Sequence, residues 1–179
     1  MKNQSVLIYL TFVQVMCFNH KGDKLAWSDG KSITVEDLIK DKNITLESER
    51  TQLMQWSPLD TYLMTWEVFA VRNGKQDPNL KIWNIAKGEL KAAFISRKSE
   101  GWQPRWSKDE TSVAIKTPNN EVGFYKNHQM DTPDKRLSVA KMDSYSVSPS
   151  AQHVVVFVPG QKGAPGFAKV SNFDDEFLP

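Results

Sequence analysis

Lys81, Lys87, Lys91, Arg97, Lys98 and Arg105 fall within twenty-five residues that hold only two acids, Glu89 and Glu100. Cations at this density can hold the phosphate oxygens of an RNA backbone, and such binding weakens steeply as salt rises. Lysines on the outer strand of a sheet also discourage edge-to-edge aggregation, so a protective reading stands beside the binding one. A polar insertion, Arg72-Asn-Gly-Lys-Gln-Asp-Pro-Asn79, carries Arg72 and Lys75 into a second candidate contact loop, because long loops often carry recognition. Trp102 and Trp106 flank Arg105. Exposed aromatics beside cations are how single-strand binders stack bases. Trp106 begins one of the repeats described below, so burial is the expectation for it, whereas Trp102 is open to either role. The candidate contact set is Arg72, Lys75, Lys91, Arg97, Lys98 and Arg105.

Other chemistry finds no support. The sequence has no Gly-rich phosphate loop of the P-loop kind and no Gly-x-Ser-x-Gly elbow, so neither nucleotide hydrolysis nor acyl transfer is indicated. His20, His128 and His153 are isolated and lack metal-ligand spacing. His20 and His153 fall in turns, where exposure is expected. Asp174, Asp175 and Glu176 form a contiguous acidic run that reads as solvated rather than as a cation site. No catalytic, cofactor or metal residue is assigned, no small-molecule substrate is expected, and the chain does not read as an enzyme.

These residues sit in a 179-residue chain with 40% hydrophobic and 25% charged residues, a globular composition. The net charge of +2 is too mild to define a dedicated nucleic-acid domain. It is unevenly placed: residues 51–130 carry eleven cations and eight acids, whereas residues 131–179 carry five and six. The single cysteine, Cys17, permits no internal disulfide and fits a reducing compartment. A cytoplasmic location is expected. The apolar stretch Val6–Phe18 is too short to span a bilayer. Its β-branched and aromatic content favours a strand over a targeting segment, so no membrane association is expected.

The elements that must position the candidates come from an internal repeat. Phe18, Trp56, Trp106 and Val147 each open a polar turn of about six residues. An aliphatic residue follows seven places on, at Leu25, Leu63, Val113 and Val154. Phe18 to Trp56 is 38 positions, Trp56 to Trp106 is 50, and Trp106 to Val147 is 41. A four-stranded propeller blade of the WD class takes ~40–45 residues, and the insertion at 72–79 accounts for the long interval. Each apolar start should end a strand. Ser-Pro or Gly-Asp should make a tight turn, and the aliphatic run should form a buried second strand. Third strands are expected at Ile33–Val35, Leu80–Trp83, Val122–Tyr125 and Phe167–Val170. Outer strands are expected at Ile44–Leu46, Leu90–Phe94 and Arg136–Val139. A β-sandwich is the competing architecture, but it does not usually repeat one turn chemistry at a near-constant interval. Ile82-Trp83-Asn84 stands where WD repeats carry Trp-Asp, and no Gly-His pair precedes the blades. The hydrogen-bonded tetrad of the standard repeat is therefore expected to be missing.

Three stretches, FNHKGDKLAW (18–27), NLKIWNIAKGELKAAF (79–94) and WQPRWSKDETSVAIKTPNNEVGFY (102–125), resemble the amino-terminal propeller of the eukaryotic translation initiation factor 2A family. A fourth, Val156–Val170 with its run PGQKGAPG, extends the likeness, which reaches from Cys17 to Val170. The resemblance implies a large, nine-bladed propeller in the intact family. It implies association with the small ribosomal subunit, and handling of initiator transfer RNA and messenger RNA independently of GTP. The candidate contact set would then meet ribosome or RNA. The alternative is a generic propeller scaffold for protein–protein contacts, since fold alone does not give function.

The resulting expectation is an all-β fold. It is a partial WD-like β-propeller of about three complete four-stranded blades plus the start of a fourth. Residues 1–16 form a divergent N-terminal strand segment, 17–170 the partial propeller, and 171–179 a divergent acidic tail. The chain reads as a truncated amino-terminal propeller portion. An arc with unpaired end blades is expected to be marginally stable and prone to aggregate.

Overall fold

A computed structural model of the chain describes residues 15–96, 104–117, 119 and 121–172. The expected strand before Val15, Arg97, Lys98, Trp102 and the acidic run at 174–176 lie outside the described residues. Among the described residues the fold is all-β, and four antiparallel sheets follow one another along the chain.

The first sheet runs β1 (Val15–Phe18), β2 (Lys24–Ser28), β3 (Ile33–Asp37) and β4 (Lys42–Leu46), in that spatial order. The second runs β5 (Thr51–Trp56), β6 (Tyr62–Glu67), β9 (Leu80–Asn84) and β10 (Glu89–Phe94). A small hairpin of β7 (Val71–Arg72) and β8 (Lys75–Gln76) is inserted between β6 and β9. The third runs β11 (Arg105–Trp106), β12 (Ser112–Lys116), β13 (Glu121–Lys126) and β14 (Lys135–Ser138). The fourth has three strands, β15 (Ser144–Val147), β16 (His153–Val158) and β17 (Phe167–Asn172). The first strand of every sheet ends on the residue that opened a sequence repeat. The polar insertion at 72–79 is itself ordered, with Asn73 and Gly74 at φ 50° and 74° turning the hairpin. Positive φ at both central residues is what a tight two-residue connection demands.

Successive sheets pack face to face through three apolar seams. Ala26, Ile33, Val35 and Leu46 of the first blade meet Trp56, Leu63 and Trp83 of the second. Met64, Trp66 and Ile82 of the second meet Val113, Ile115 and Tyr125 of the third. Ala114, Val122, Phe124 and Leu137 of the third meet Tyr145, Val154 and Val156 of the fourth. Second strands touch neighbours on both sides, so β6 is buried from Tyr62 to Trp66, whereas β16 is buried only at alternate residues. Fully burying one such side chain contributes about 1.5–3 kcal/mol, so the seams hold the arc together. Tyr62 stacks on Trp106 with ring centroids 5.0 Å apart, and its hydroxyl lies 3.0 Å from His128 Nδ1. Burial pushes the Tyr62 hydroxyl above its ordinary pKa, with the Glu110 charge adding to the effect.

The meander gives the arc two faces. Turns between first and second strands, and between third and fourth, lie on one side, called here the turn face. Connections between second and third strands, and from one blade to the next, lie on the other, the loop face.

Candidate functional site

The turn face is built from four copies of one device. Asn19, Ser57, Ser107 and Ser148 each follow the first strand. Their carbonyls accept from the amides of Gly22, Asp60, Glu110 and Ala151 at 3.1, 3.0, 3.0 and 2.8 Å. Their side-chain oxygens accept from the amides of Lys24, Tyr62, Ser112 and His153 at 2.9–3.0 Å. The fourth turn residue always has positive φ: Gly22 at 71°, Asp60 at 64°, Glu110 at 59° and Ala151 at 55°.

Two of those residues reach into the neighbouring blade. Asp60 accepts from the amides of His20 and Lys21 at 2.9 and 3.2 Å and from Asn19 Nδ2 at 3.1 Å, and it sits 2.9 Å from His20 Nδ1. Burial alone would raise the Asp60 carboxyl, but the bonds from His20 and Lys21 outweigh it and hold its pKa below the usual range. Glu110 Oε1 accepts from Leu59 N at 2.6 Å. At the third seam, where Ala151 has no carboxylate, Lys108 N donates to Pro149 O at 2.8 Å. His20 is thus exposed in a turn but not isolated: it joins two blades. The isolation expected for His20 and His128 gives way to these bonds. The expected absence of the full tetrad is tempered inside the second blade, where Trp83 Nε1 donates to Thr65 Oγ1 at 3.0 Å.

Among the described residues, Arg72, Lys75 and Arg105 of the candidate set lie at the loop-face ends of their strands. Arg72 and Lys75 face each other in register across the β7–β8 hairpin, with Lys75 exposed. Buried Asn79 anchors the hairpin's base. Its amide donates to Glu67 O and Ser96 O at 2.8 Å each, and its oxygen accepts from Ser96 N at 2.8 Å. A cleft of about 500 Å³ opens beside the hairpin, between Lys31, Glu47, Arg50, Glu67, Asp77 and Lys81. Lys81 is committed to Glu67 at 2.6 Å, and Glu67 also accepts from Ser48 Oγ at 2.6 Å. With charges of both signs on its walls, the cleft is no simple phosphate groove.

Among the described residues the cations of the dense basic stretch are spread over several strands and both faces. Lys81 points into the cleft and exposed Lys87 lies in the β9–β10 turn on the opposite face. Lys91 is exposed on the outer strand β10, while Arg105 is half-buried on the innermost strand β11 of the next blade. Lys91 has counterparts on other outer strands, Lys42 on β4 and Lys135 and Arg136 on β14. That recurrence fits edge protection. Trp106 is packed against the second seam and donates Nε1 to Met64 Sδ at 2.8 Å, consistent with a core role.

Sequence reasoning passed over Lys116, Lys141 and Lys162, all on the loop face. The acidic tail lowered the average charge of residues 131–179, and the Gly-rich run that holds Lys162 was noted only as a likeness. Among the described residues no group of three His, Cys, Asp or Glu side chains could hold a metal ion. Among them, too, no helix is long and apolar enough to cross a membrane.

Consecutive antiparallel meanders of four, four, four and three strands, innermost strand first and packed face to face, define a partial WD-like β-propeller. A solved structure titled as a eukaryotic initiation factor superposes with a TM-score of 0.85 at 27% identity, covering 98% of this chain and 44% of that one. Factor 2A of Schizosaccharomyces pombe is 32% identical over 169 residues, 88% of this chain and 28% of its own length. That of Caenorhabditis elegans is 30% identical over 172 residues, 91% of this chain and 30% of its own length. About nine-tenths of the chain is thus similar to eukaryotic translation initiation factor 2A of distant eukaryotes. It spans less than a third of the length of these relatives. No protein-family model matches it.

Proposed function

We propose that this chain serves translation initiation by binding, without catalysis, in the cytoplasm, and that it associates with the small ribosomal subunit through the loop face. In the whole protein the same surface would help handle initiator transfer RNA and messenger RNA independently of GTP. The observation that carries this reading is collinear similarity across about nine-tenths of the chain to factors of that name in distant eukaryotes. The β7–β8 hairpin supports the choice of face, since an ordered projecting ribbon with Arg72 and Lys75 in register is suited to an anionic surface. Arg105 begins β11 at the same face, and Arg97 and Lys98, which lie outside the described residues, complete the proposed contact set with it. Lys91 is the outlying member of the set.

The test is co-sedimentation of the chain with purified small ribosomal subunits across a salt series. Association that falls with salt, and falls further in an Arg72→Glu, Lys75→Glu variant, supports the reading. Absence of association at low salt overturns it.

The scaffold alternative has its own observation. Ile39 is 77% exposed in the β3–β4 turn, held there by Asp37, whose carboxylate accepts from the amides of Ile39 and Lys40 at 3.2 and 2.9 Å. Leu38 and Leu59 are exposed on the same turn face. An apolar anchor fixed in place suits a protein partner. Salt-insensitive association lost in Ile39→Ser would favour that reading.

A further inference from the structure

The connection between β16 and β17, Pro159-Gly-Gln-Lys-Gly-Ala-Pro-Gly166, has no part in the described core: every residue from Pro159 to Val170 is exposed. It is nevertheless held to one shape. A Cβ on Gly160 would lie 2.5 Å from the Ala164 carbonyl oxygen, and one on Gly166 would lie 2.9 Å from Gly160 N. Neither position admits a side chain without displacing backbone. Inside this close approach, Gln161 and Ala164 form a bridge and the Ala164 amide donates to Gln161 O at 3.0 Å. The two residues between them, Lys162 and Gly163, have φ of 39° and 86°. A lysine gains nothing from left-handed backbone, so an exposed loop that imposes it points to a use for the side chain so presented.

A second lysine is brought to the same place from the preceding connection. Lys141, also left-handed at φ 60°, donates from Nζ to Gln161 Oε1 at 2.7 Å. Lys116 braces that connection by donating to the carbonyls of Met142 and Asp143 at 3.2 and 2.9 Å. From Lys135 to Asn172 the chain carries five cations and one acid, Asp143.

We propose that the Pro159–Gly166 loop, with Lys162 at its tip and Lys141 at its base, is a contact for RNA backbone phosphate. A glycine-lined loop presents little side-chain bulk, so a phosphate can approach it closely. Residues 159–166 include no aromatic side chain, and protein interfaces usually centre on such anchors. The chemistry therefore fits a phosphate backbone better than a protein surface. The proposal deepens the ribosomal reading and rests on it only for the RNA being ribosomal.

The test is filter binding of the chain to naked small-subunit ribosomal RNA over a salt series, with melting curves for every variant. Lys141→Gln and Lys162→Gln should each reduce the slope of log K against log salt by about one, and the double variant by about two. Gly160→Val, which keeps both charges but displaces the loop, should also weaken binding and flatten the slope. The proposal is overturned if the chain does not bind the RNA. It is equally overturned if the double variant melts normally and keeps the parental slope, or loses affinity with the slope unchanged. RNA binding with the expected slopes but no subunit association would sink the ribosomal reading and leave this one standing. Subunit association with parental slopes in the variants would do the reverse.

Discussion

Asp60 of the second blade and His20 of the first are joined twice across the seam between them, His20 N and His20 Nδ1 both lying 2.9 Å from Asp60 Oδ1. The carboxylate must be ionised to accept these bonds together with those from Lys21 and Asn19. Its folded pKa is depressed, so its contribution to stability is present above the unfolded value of about 3.9 and disappears as pH falls through the folded value. Asp60→Ala should cost about 2 kcal/mol at neutral pH, in the range for hydrogen bonds to charged groups. Urea melts at pH 7 and at pH 3 measure this. The variant should lose less than the parent between the two, and an equal loss would show that the contact contributes nothing.

Asn79 ties three backbone segments together while fully screened from water. Asn79→Ala would remove three hydrogen bonds, with Ser96 O keeping the one from Trp66 Nε1 at 3.3 Å, and each such bond contributes about 0.5–1.5 kcal/mol net. The expected result is a clear fall in the urea midpoint. Proteolysis should also rise at the β7–β8 hairpin, read by limited digestion and mass spectrometry.

Phe124 is fully buried in the seam between the third and fourth blades. Phe124→Ala should destabilise by about 3–5 kcal/mol. That approaches the whole stability of a modest domain, so the variant is expected to lose its cooperative thermal transition. A sharp melt near the parental midpoint would contradict the seam's importance.

Cys17 tests the first seam. Desolvation by burial pushes its thiol up to about 11, despite a lowering contribution from Trp56. Only the thiolate reacts, so alkylation by iodoacetamide at pH 8 should be far slower in the folded chain than in urea. Equal rates would mean that the first two blades are not packed as described.

The two end blades present apolar faces outward. Met16 and Phe18 are 60% and 61% exposed on β1, while Phe157 and Val170 are exposed on one side of the β16–β17 pair. Such faces invite self-association. Phe157→Ser with Val170→Ser should raise the concentration at which light scattering appears, with little change in melting, because neither residue lies in a described seam.

Strand positions were legible because Phe18, Trp56, Trp106 and Val147 mark strand ends with a chemistry that repeats. Third and outer strands followed from short apolar runs whose spacing each blade copies. The latch at Asp60 was not legible. Its value depends on a turn in a neighbouring blade some forty residues earlier, and on left-handed backbone that no residue type alone announces. The grouping of Lys81, Lys91 and Arg105 misled for a related reason. Nearness along the chain spans a whole blade radially, so residues ten or fourteen apart stand on different strands and different rims. Lys141 bonds Gln161, the residue next to Lys162 and twenty positions along the chain, a contact that charge counts in sequence windows cannot detect.

The four turns share one backbone but not one sequence: NHKG, SPLD, SKDE and SPSA. The bonds that define each turn use the first residue's side-chain oxygen and main-chain groups, and the fourth residue's left-handed φ. The two middle residues are left to couple one blade to the next, mostly through main-chain groups: the amides of His20, Lys21, Leu59 and Lys108 all bond across a seam. Side chains such as that of Leu59 stand exposed on this frame. A lineage, or an engineer, could rewrite what this rim recognises without disturbing the apolar seams beneath it.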